Sequence, residues 1–277
     1  VPELPEVETI CRGLNELTRR QPIQGGEVLL PRSIAHPDSI AEFWQGLKQT
    51  QIQQWQRRGK YLLAQLDSEG WLGLHLRMSG QLLWVKQSDP LAKHTRLRLF
   101  FPGQQELRFI DLRTLGRVWW VPPQVAPETI ITGLNKLGTE PFSSAFTPLY
   151  LKQKLQTRRC AIKTALLDQK VVAGMGNIYA DEALFLGQIS PFRNAASLSH
   201  REIEQLYQAI LSVLTTGIKQ GGTTFSSFLN LLGVNGNYMG QAWVYGREGE
   251  PCRLCKTIIQ RSKINGRSSH FCSQCQI

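Results

Sequence analysis

Four cysteines, Cys252, Cys255, Cys272 and Cys275, stand in the pattern C-x2-C-x16-C-x2-C, and no other feature constrains the chain as tightly. Two short turns that each present a pair of thiolates can close one tetrahedral zinc site. All four positions are then taken by sulfur, which leaves none for water, so the spacing predicts one structural zinc ion. A segment too short to build its own core would fold around it. Between the pairs, Asn265-Gly266 is the turn signal of a two-residue hairpin, so Thr257 to Phe271 is expected to form paired strands. Residues 252–277 carry Arg253, Lys256, Arg261, Lys263 and Arg267 and no aspartate or glutamate. Charge of one sign favours contact with phosphates; a zinc ribbon built for protein contacts is the plainer alternative.

Cys11 and Cys160 are isolated, so the clustered cysteines read as a metal site of a reducing compartment rather than as disulfides. Lys plus Arg outnumber Asp plus Glu by 32 to 21, a net charge of +11 over 277 residues. With a pI near 9.6, a polyanionic partner is the first expectation, although ribosome-bound, membrane-surface and simply basic proteins share this balance. No apolar run approaches the ~20 residues that span a bilayer. The first turn carries Glu3, Glu6 and Glu8 where a signal peptide carries lysines, so a cytosolic protein without a membrane partner is expected. A hydrophobic share of 42% with 19% charged residues excludes a disordered chain.

The length suggests two domains. Pro5 suits the first turn of a helix, and Val7, Ile10, Leu14 and Leu17 follow at helical spacing. From about residue 60, short runs broken by Gly, Pro, Asp and Ser read as antiparallel strands: 60–66, 71–76, 81–85, 97–101, 106–110 and 117–121. Prolines at 122, 123, 127, 141 and 148 punctuate a stretch without period, and the connection between domains falls in 122–149. Ser199 and Glu202 then form a capping box ahead of Ile203, Leu206, Tyr207, Ile210, Leu211 and Leu214 on one helical face. The expected class is α+β. An N-terminal helix and antiparallel β-sandwich occupy 1–130 and a linker 131–149, followed by a helical domain at 150–240 and the zinc finger at 241–277.

Three further stretches carry possible chemistry. Gly174-Met175-Gly176-Asn177 precedes a helical run reaching Gly187; its backbone N–H groups suit a phosphate oxygen, and taken alone its glycines favour close packing. Gln220-Gly221-Gly222-Thr223-Thr224-Phe225 suits a binding loop and equally an ordinary helix terminator. Pro2-Glu3-Leu4-Pro5-Glu6 places an imino acid beside two carboxylates. If Val1 were absent, Pro2 would expose a secondary amine next to a proton carrier; the bland account is that the acids favour the positive end of the helix dipole.

In combination and in order, PELPEVET at residues 2–9, RRGKYL at 57–62, HLRMSG at 75–80, GMGNIYADE at 174–182 and VYGREGEPC running into the four-cysteine finger are specific. Nearly the whole chain resembles bacterial formamidopyrimidine-DNA glycosylase. The resemblance implies a bifunctional glycosylase and abasic-site lyase of base excision repair. It would excise 8-oxoguanine and formamidopyrimidines from double-stranded DNA and cut the strand by β,δ-elimination. The implied fold is a helix plus β-sandwich domain, then a helix–two-turn–helix domain ending in the finger, with DNA in the cleft between them and a monomer as the family expectation.

Carried over residue by residue, the resemblance makes Pro2 the nucleophile at the sugar C1′, Glu3 the acid/base on the sugar oxygen, and Lys60 a charge on a phosphate flanking the lesion. Glu6, Gly222, Thr223 and Thr224 would line the pocket for the extruded base, with Lys163 associated with 8-oxoguanine. Met78, Arg113 and Leu115 would fill the gap left by the flipped nucleotide. His94, Asn177 and Arg267 would contact DNA as well. Leu115 stands where the family usually has phenylalanine, and Thr114 where it usually has a basic residue, which puts recognition of the opposite base in doubt. An endonuclease VIII-like enzyme for oxidised pyrimidines is the nearest rival, although the N-terminal motif fits the purine branch better. A silent damaged-DNA-binding protein is the other, because the chain begins Val-Pro and an internal proline nitrogen is an amide that cannot attack. The active form is therefore expected to lack Val1.

Overall fold

The computed structural model describes residues 2–223 and 230–277. The chain divides into two compact units, Val1–Asn135 with Gly221–Gly236, and Lys136–Gln220 with Asn237–Ile277. No helix among the described residues is long and apolar enough to cross a membrane.

The first unit opens with α1 (Leu4–Thr18), which has Pro5 in its first turn and buries Leu4, Val7, Ile10, Cys11 and Leu14 on one side. Its strands are β1 (Gly25–Val28), β2 (Ile34–His36), β3 (Ile52–Arg58), β4 (Tyr61–Leu66), β5 (Trp71–His75), β6 (Gly80–Lys86), β7 (Thr95–Phe101), β8 (Gln105–Asp111) and β9 (Arg117–Val121), with α2 (Ile40–Leu47) after β2. They form a four-stranded sheet in the order β1-β7-β8-β6 and a five-stranded sheet in the order β2-β9-β5-β4-β3. Side chains from both sheets, among them Trp55, Leu62, Leu74, Leu97, Phe101, Leu107 and Phe109, share one core with α1 and Phe43 of α2. Burial alternates along β7, as an amphipathic strand requires, whereas β4 is buried at all but one position between β3 and β5.

The strands expected from the sequence form within two residues of their limits; β1, β2, β3 and α2 add to them. The helix and sheets are tied by name. Asn15 on α1 trades hydrogen bonds with the Trp55 backbone, accepting from its N–H at 2.8 Å and donating to its carbonyl at 2.9 Å. Segment 230–236 returns to this unit through Leu231, whose side chain joins the core and whose carbonyl accepts from Trp84 N–H at 2.8 Å.

The second unit holds α4 (Pro148–Leu155), α5 (Ile162–Leu167), α6 (Asn177–Leu186), α7 (His200–Lys219) and the hairpin β10 (Gln260–Ile264) and β11 (Arg267–Phe271), the short α3 (Pro127–Ile130) having closed the first. The Ser199 and Glu202 capping box starts α7, and Asn265 and Gly266 turn the hairpin with φ of 47° and 75°, both left-handed as a tight type I′ turn requires. Phe185, Val244, Ile259, Cys252 and Cys272 form a small core beneath the finger.

One charged cluster lies within the four-stranded sheet. Glu106 is fully buried and takes Arg98 at 2.6 Å together with Arg108, while Arg98 also reaches Glu27 at 2.8 Å. Arg108 in turn donates to the carbonyls of Asp89 and Pro90, each at 2.7 Å, which shapes the loop before β7. Without Glu106 the buried Arg108 guanidinium loses its counter-charge and Arg98 is left with Glu27. Glu106→Ala should therefore destabilise the first unit by about 3–5 kcal/mol, measured by urea denaturation; an unchanged midpoint would show that the cluster contributes nothing.

Candidate functional site

Pro2, Glu3 and Glu6 are buried at the start of α1. Glu6 gathers this region: one carboxylate oxygen accepts from Glu3 N–H at 2.8 Å, the other from Thr223 N–H at 2.7 Å and Thr223 Oγ1 at 3.0 Å. Gly222 has φ +83°, and a Cβ on it would lie 2.8 Å from the Glu6 side chain. Only glycine lets the loop come this close. The structure thus brings Pro2, Glu3, Glu6, Gly222 and Thr223 to one place; Thr224, like Val1, lies outside the described residues.

Lys60 sits in the turn that joins β3 to β4, next to Gly59 at φ 56°. That turn is referenced to α1 through Arg57, which donates to Glu8 at 2.9 Å and to the Gly59 carbonyl at 3.1 Å. Burial pushes the Glu8 carboxyl up, and the guanidinium groups of Arg12 and Arg57 outweigh it, so its pKa lies below the usual carboxylate value. His75 is a neighbour that the sequence reading passed over, although it opens HLRMSG. Burial, reinforced by the positive charges of Arg77 and Lys60, holds its pKa down to about 3. Its Nδ1 accepts from Arg77 N–H at 3.0 Å, which leaves the proton on Nε2. The ring is therefore a neutral hydrogen-bond donor beside a cationic turn.

Met78 and Leu115 are exposed apolar side chains at 38% and 40%, and Arg113 is exposed beside Leu115. His94 is half-buried, with Nδ1 3.3 Å from an Arg96 guanidinium nitrogen.

In the second unit, Asn177 is the first residue of α6, and its buried side-chain oxygen has no hydrogen-bond partner among the described residues. Arg267 is exposed at the start of β11. Lys163 belongs to this second unit. It is fully buried and ion-paired with Asp181 at 2.6 Å, and it donates to the Ser268 carbonyl at 2.6 Å and to Ser269 Oγ at 2.9 Å. Lys163 thus holds the strand that begins with Arg267. Asp181 also accepts from His270 N–H at 2.9 Å. Its neighbour Glu182 accepts from the N–H groups of Trp243, Val244 and Tyr245 at 2.8, 2.9 and 2.9 Å, burial keeping its pKa above the usual value. The sequence analysis singles out neither acid, although two carboxylates inside the otherwise apolar run IYADEALF are the signal that points to them.

The sulfur atoms of Cys252, Cys255, Cys272 and Cys275 all lie within 4.8 Å of one another. Cys252 and Cys275 are 3.9 Å apart and Cys255 and Cys272 3.4 Å, against edges of about 3.8 Å for a tetrahedron with Zn–S near 2.3 Å. Hydrogen bonds from Thr257 lower the Cys255 thiol to about 6, whereas burial and the adjoining sulfurs raise Cys275. Four crowded thiols do not ionise together unaided; a dication makes that possible. The donor set fits one structural zinc ion, and these four cysteines hold it.

Two outcomes follow. Cys255→Ser should lose zinc and unfold the basic hairpin, because metal binding supplies the folding free energy of such a segment; mass spectrometry that finds one zinc retained would refute this. His75 should stay neutral in the native protein while the unfolded chain protonates below about 6.5. A depressed folded pKa means that its contribution to stability is present above the unfolded value and is lost as pH falls toward about 3. A nitrogen-15 spectrum near pH 5 should show a neutral ring protonated on Nε2; an imidazolium pattern there would contradict the assignment.

Three family profiles match the chain: the formamidopyrimidine-DNA glycosylase N-terminal domain over residues 1–118, the H2TH domain of the same enzymes over 137–228, and a zinc finger found in FPG and IleRS over 249–277. Formamidopyrimidine-DNA glycosylase of Trichormus variabilis is 60% identical over the full length of both chains. The crystal structure of MutM (Fpg) from Thermus thermophilus superposes with a TM-score of 0.89 at 37% identity, covering 99% of this chain and 98% of that one. Lactococcus lactis Fpg, solved with DNA containing N7-benzyl-Fapy-dG and with abasic-site DNA, gives 0.91 at 34% identity over 99% of each chain. Matched in all its parts and over its whole length, the chain belongs to the formamidopyrimidine-DNA glycosylase family.

Proposed function

We propose that this chain, by its family a DNA glycosylase of base excision repair, excises oxidised purines, chiefly 8-oxoguanine and formamidopyrimidines, through a Schiff base on Pro2 and then cleaves the strand. The observation that carries the reading is the buried start of α1, where Pro2 and Glu3 adjoin a Glu6 carboxylate anchored to Thr223. The relative from Lactococcus lactis, solved with Fapy-dG-type and abasic DNA, supports both the substrate and the lyase step.

The free amine of Pro2 attacks C1′, and the base leaves with the electron pair of the glycosidic bond. Glu3 protonates the sugar ring oxygen as the ring opens, which converts the adduct to an iminium. This cation acidifies the C2′–H; loss of that proton expels the 3′ phosphate, and a second elimination releases the 5′ phosphate. Glu6, Gly222 and Thr223 take the extruded base, a role that the family resemblance extends to Thr224, because chemistry at C1′ needs the nucleotide out of the stack. Lys60 on the β3–β4 turn, Asn177 at the start of α6, His94 and Arg267 on the finger take the DNA, and Met78, Arg113 and Leu115 form the wedge that enters the vacated space. Lys163 serves the same end indirectly, by fixing the strand that carries Arg267. Division of labour follows the sequence, with residues 1–130 for catalysis, 150–240 and the finger at 241–277 for DNA and 131–149 as the connection, except that Gly221–Gly236 returns to the catalytic unit. The protein works as a monomer in the cytosol, where reduced thiolates persist.

Borohydride added during turnover of an 8-oxoguanine duplex should trap a covalent complex, and peptide mapping should place the linkage on the amine of Pro2. Excision without any trapped adduct, or full activity in homogeneous protein that retains Val1, would overturn the assignment.

A further inference from the structure

Two loops of the first unit end in exposed apolar residues, and one buried carboxylate holds them both. Asp111, at the end of β8, is 1% exposed. Its Oδ1 accepts from Ser79 Oγ at 2.5 Å and from Arg113 N–H at 3.2 Å, and the Arg113 N–H also donates to Ser79 Oγ at 2.9 Å. Its Oδ2 accepts from Gly116 N–H at 2.7 Å. Ser79 follows Met78 directly, and Arg113 and Gly116 bracket Leu115. The same residue reaches a third element through its backbone: its N–H donates to the His94 carbonyl at 3.0 Å, and its carbonyl accepts from Arg96 Nε at 2.8 Å.

The backbone needs this restraint. Arg77 and Thr114, the residues immediately before Met78 and Leu115, have φ of 55° and 54°, a left-handed conformation that residues with side chains rarely adopt and that persists only where the surroundings over-determine it. Gly116 adds a steric reason, since a Cβ there would lie 2.4 Å from the Phe109 ring and 3.1 Å from Asp111 Oδ2. The loop can close on the carboxylate only through glycine.

We propose that Asp111 is a positioning residue, fixing the Met78 loop and the Arg113–Leu115 loop relative to each other so that the three side chains enter the duplex as one wedge. The proposal rests on reading Met78, Arg113 and Leu115 as that wedge. A wedge must meet the base stack in one geometry, and two independently moving tips would each have to be ordered on the DNA. One carboxylate whose Oδ1 serves both loops and whose Oδ2 adds a second bond to the Arg113–Leu115 loop provides this order beforehand. Asparagine in its place keeps the size but turns an NH2 group toward a backbone N–H, so one loop is released.

The test compares excision of 8-oxoguanine from a duplex with borohydride trapping on a single-stranded abasic oligonucleotide, which has no partner strand to wedge. Asp111→Asn should slow duplex excision by about ten- to a hundred-fold, mainly in kcat, and leave single-strand trapping within about two-fold of wild type. A 2-aminopurine placed opposite the lesion should lose its fluorescence change on binding. Ser79→Ala releases the Met78 loop while the Arg113 and Gly116 N–H groups stay on Asp111, and should give a smaller loss of the same kind, which keeps the test open if the first variant folds poorly. In Met78→Ala/Leu115→Ala protein, already slow on duplex, adding Asp111→Asn should cost nothing further. Wild-type duplex rates in folded Asp111→Asn alongside a slow wedge-less variant would overturn the proposal alone. Equal losses on duplex and single strand would also overturn it, by assigning Asp111 to general folding. Wild-type rates in the wedge-less variant itself would overturn the wedge reading first, and this proposal with it.

Discussion

A carboxylate taken out of water must be given donors, and for Glu6, Asp111, Asp181 and Glu182 those donors include backbone N–H groups of other segments. An unpaired buried charge costs several kcal/mol, far more than a loop gains by wandering, so burial of an acid fixes whatever backbone reaches it. Glu6 fixes Thr223, Asp111 fixes Arg113 and Gly116, Asp181 fixes His270, and Glu182 fixes residues 243–245. Asp111 and Asp181 stand behind exposed side chains, so Met78, Leu115 and Arg267 sit on loops or strand ends and still have defined positions.

What was legible in the sequence was what short-range chemistry decides. The cysteine spacing, the Asn-Gly turn, the Ser199 and Glu202 cap and the apolar stripe of α1 each depend on residues only a few positions apart, and the structure contains all of them. β1 and β2 were not legible, because Gly25-Gly26-Glu27 and a three-residue edge strand carry no period. Nor could periodicity show that 221–236 packs with the first unit, an arrangement that depends on Leu231 finding the core near Gly13. Lys163 is the clearest limit. A lysine in Ala-Ile-Lys reads as a solvated charge or a ligand contact, and only the folded chain supplies Asp181 and the Ser268–Ser269 edge that allow it to be fully buried.

The same reasoning separates residues that a family resemblance transfers well from those that it transfers poorly. Pro2, Glu3 and Glu6 lie on one helix start, so their relative placement follows from the helix, and Gly222 is fixed by the space that Glu6 leaves. Lys60, by contrast, is placed through a relay, from Glu8 to Arg57 to the Gly59 carbonyl. A change at Arg57 or Glu8 would shift Lys60 without touching it, a dependence that motif matching at Lys60 alone does not reveal.

Leu115 and Thr114, the two departures from the family's usual pattern, become intelligible on the same ground. The bonds that hold their loop run from the N–H groups of Arg113 and Gly116 and involve neither side chain, so both positions can vary while the backbone stays in place. Leucine keeps an apolar tip but gives up the aromatic face, and the loss falls on stacking rather than on loop geometry. Thr114 gives up a positive charge, yet its hydroxyl accepts from the exposed Arg32 at 2.8 Å. A guanidinium from the turn before β2 therefore stands beside the loop that lacks its own second cation. The positive charge that Thr114 gives up is thus matched in the fold by Arg32, and what remains of the departure is a change of shape at Leu115.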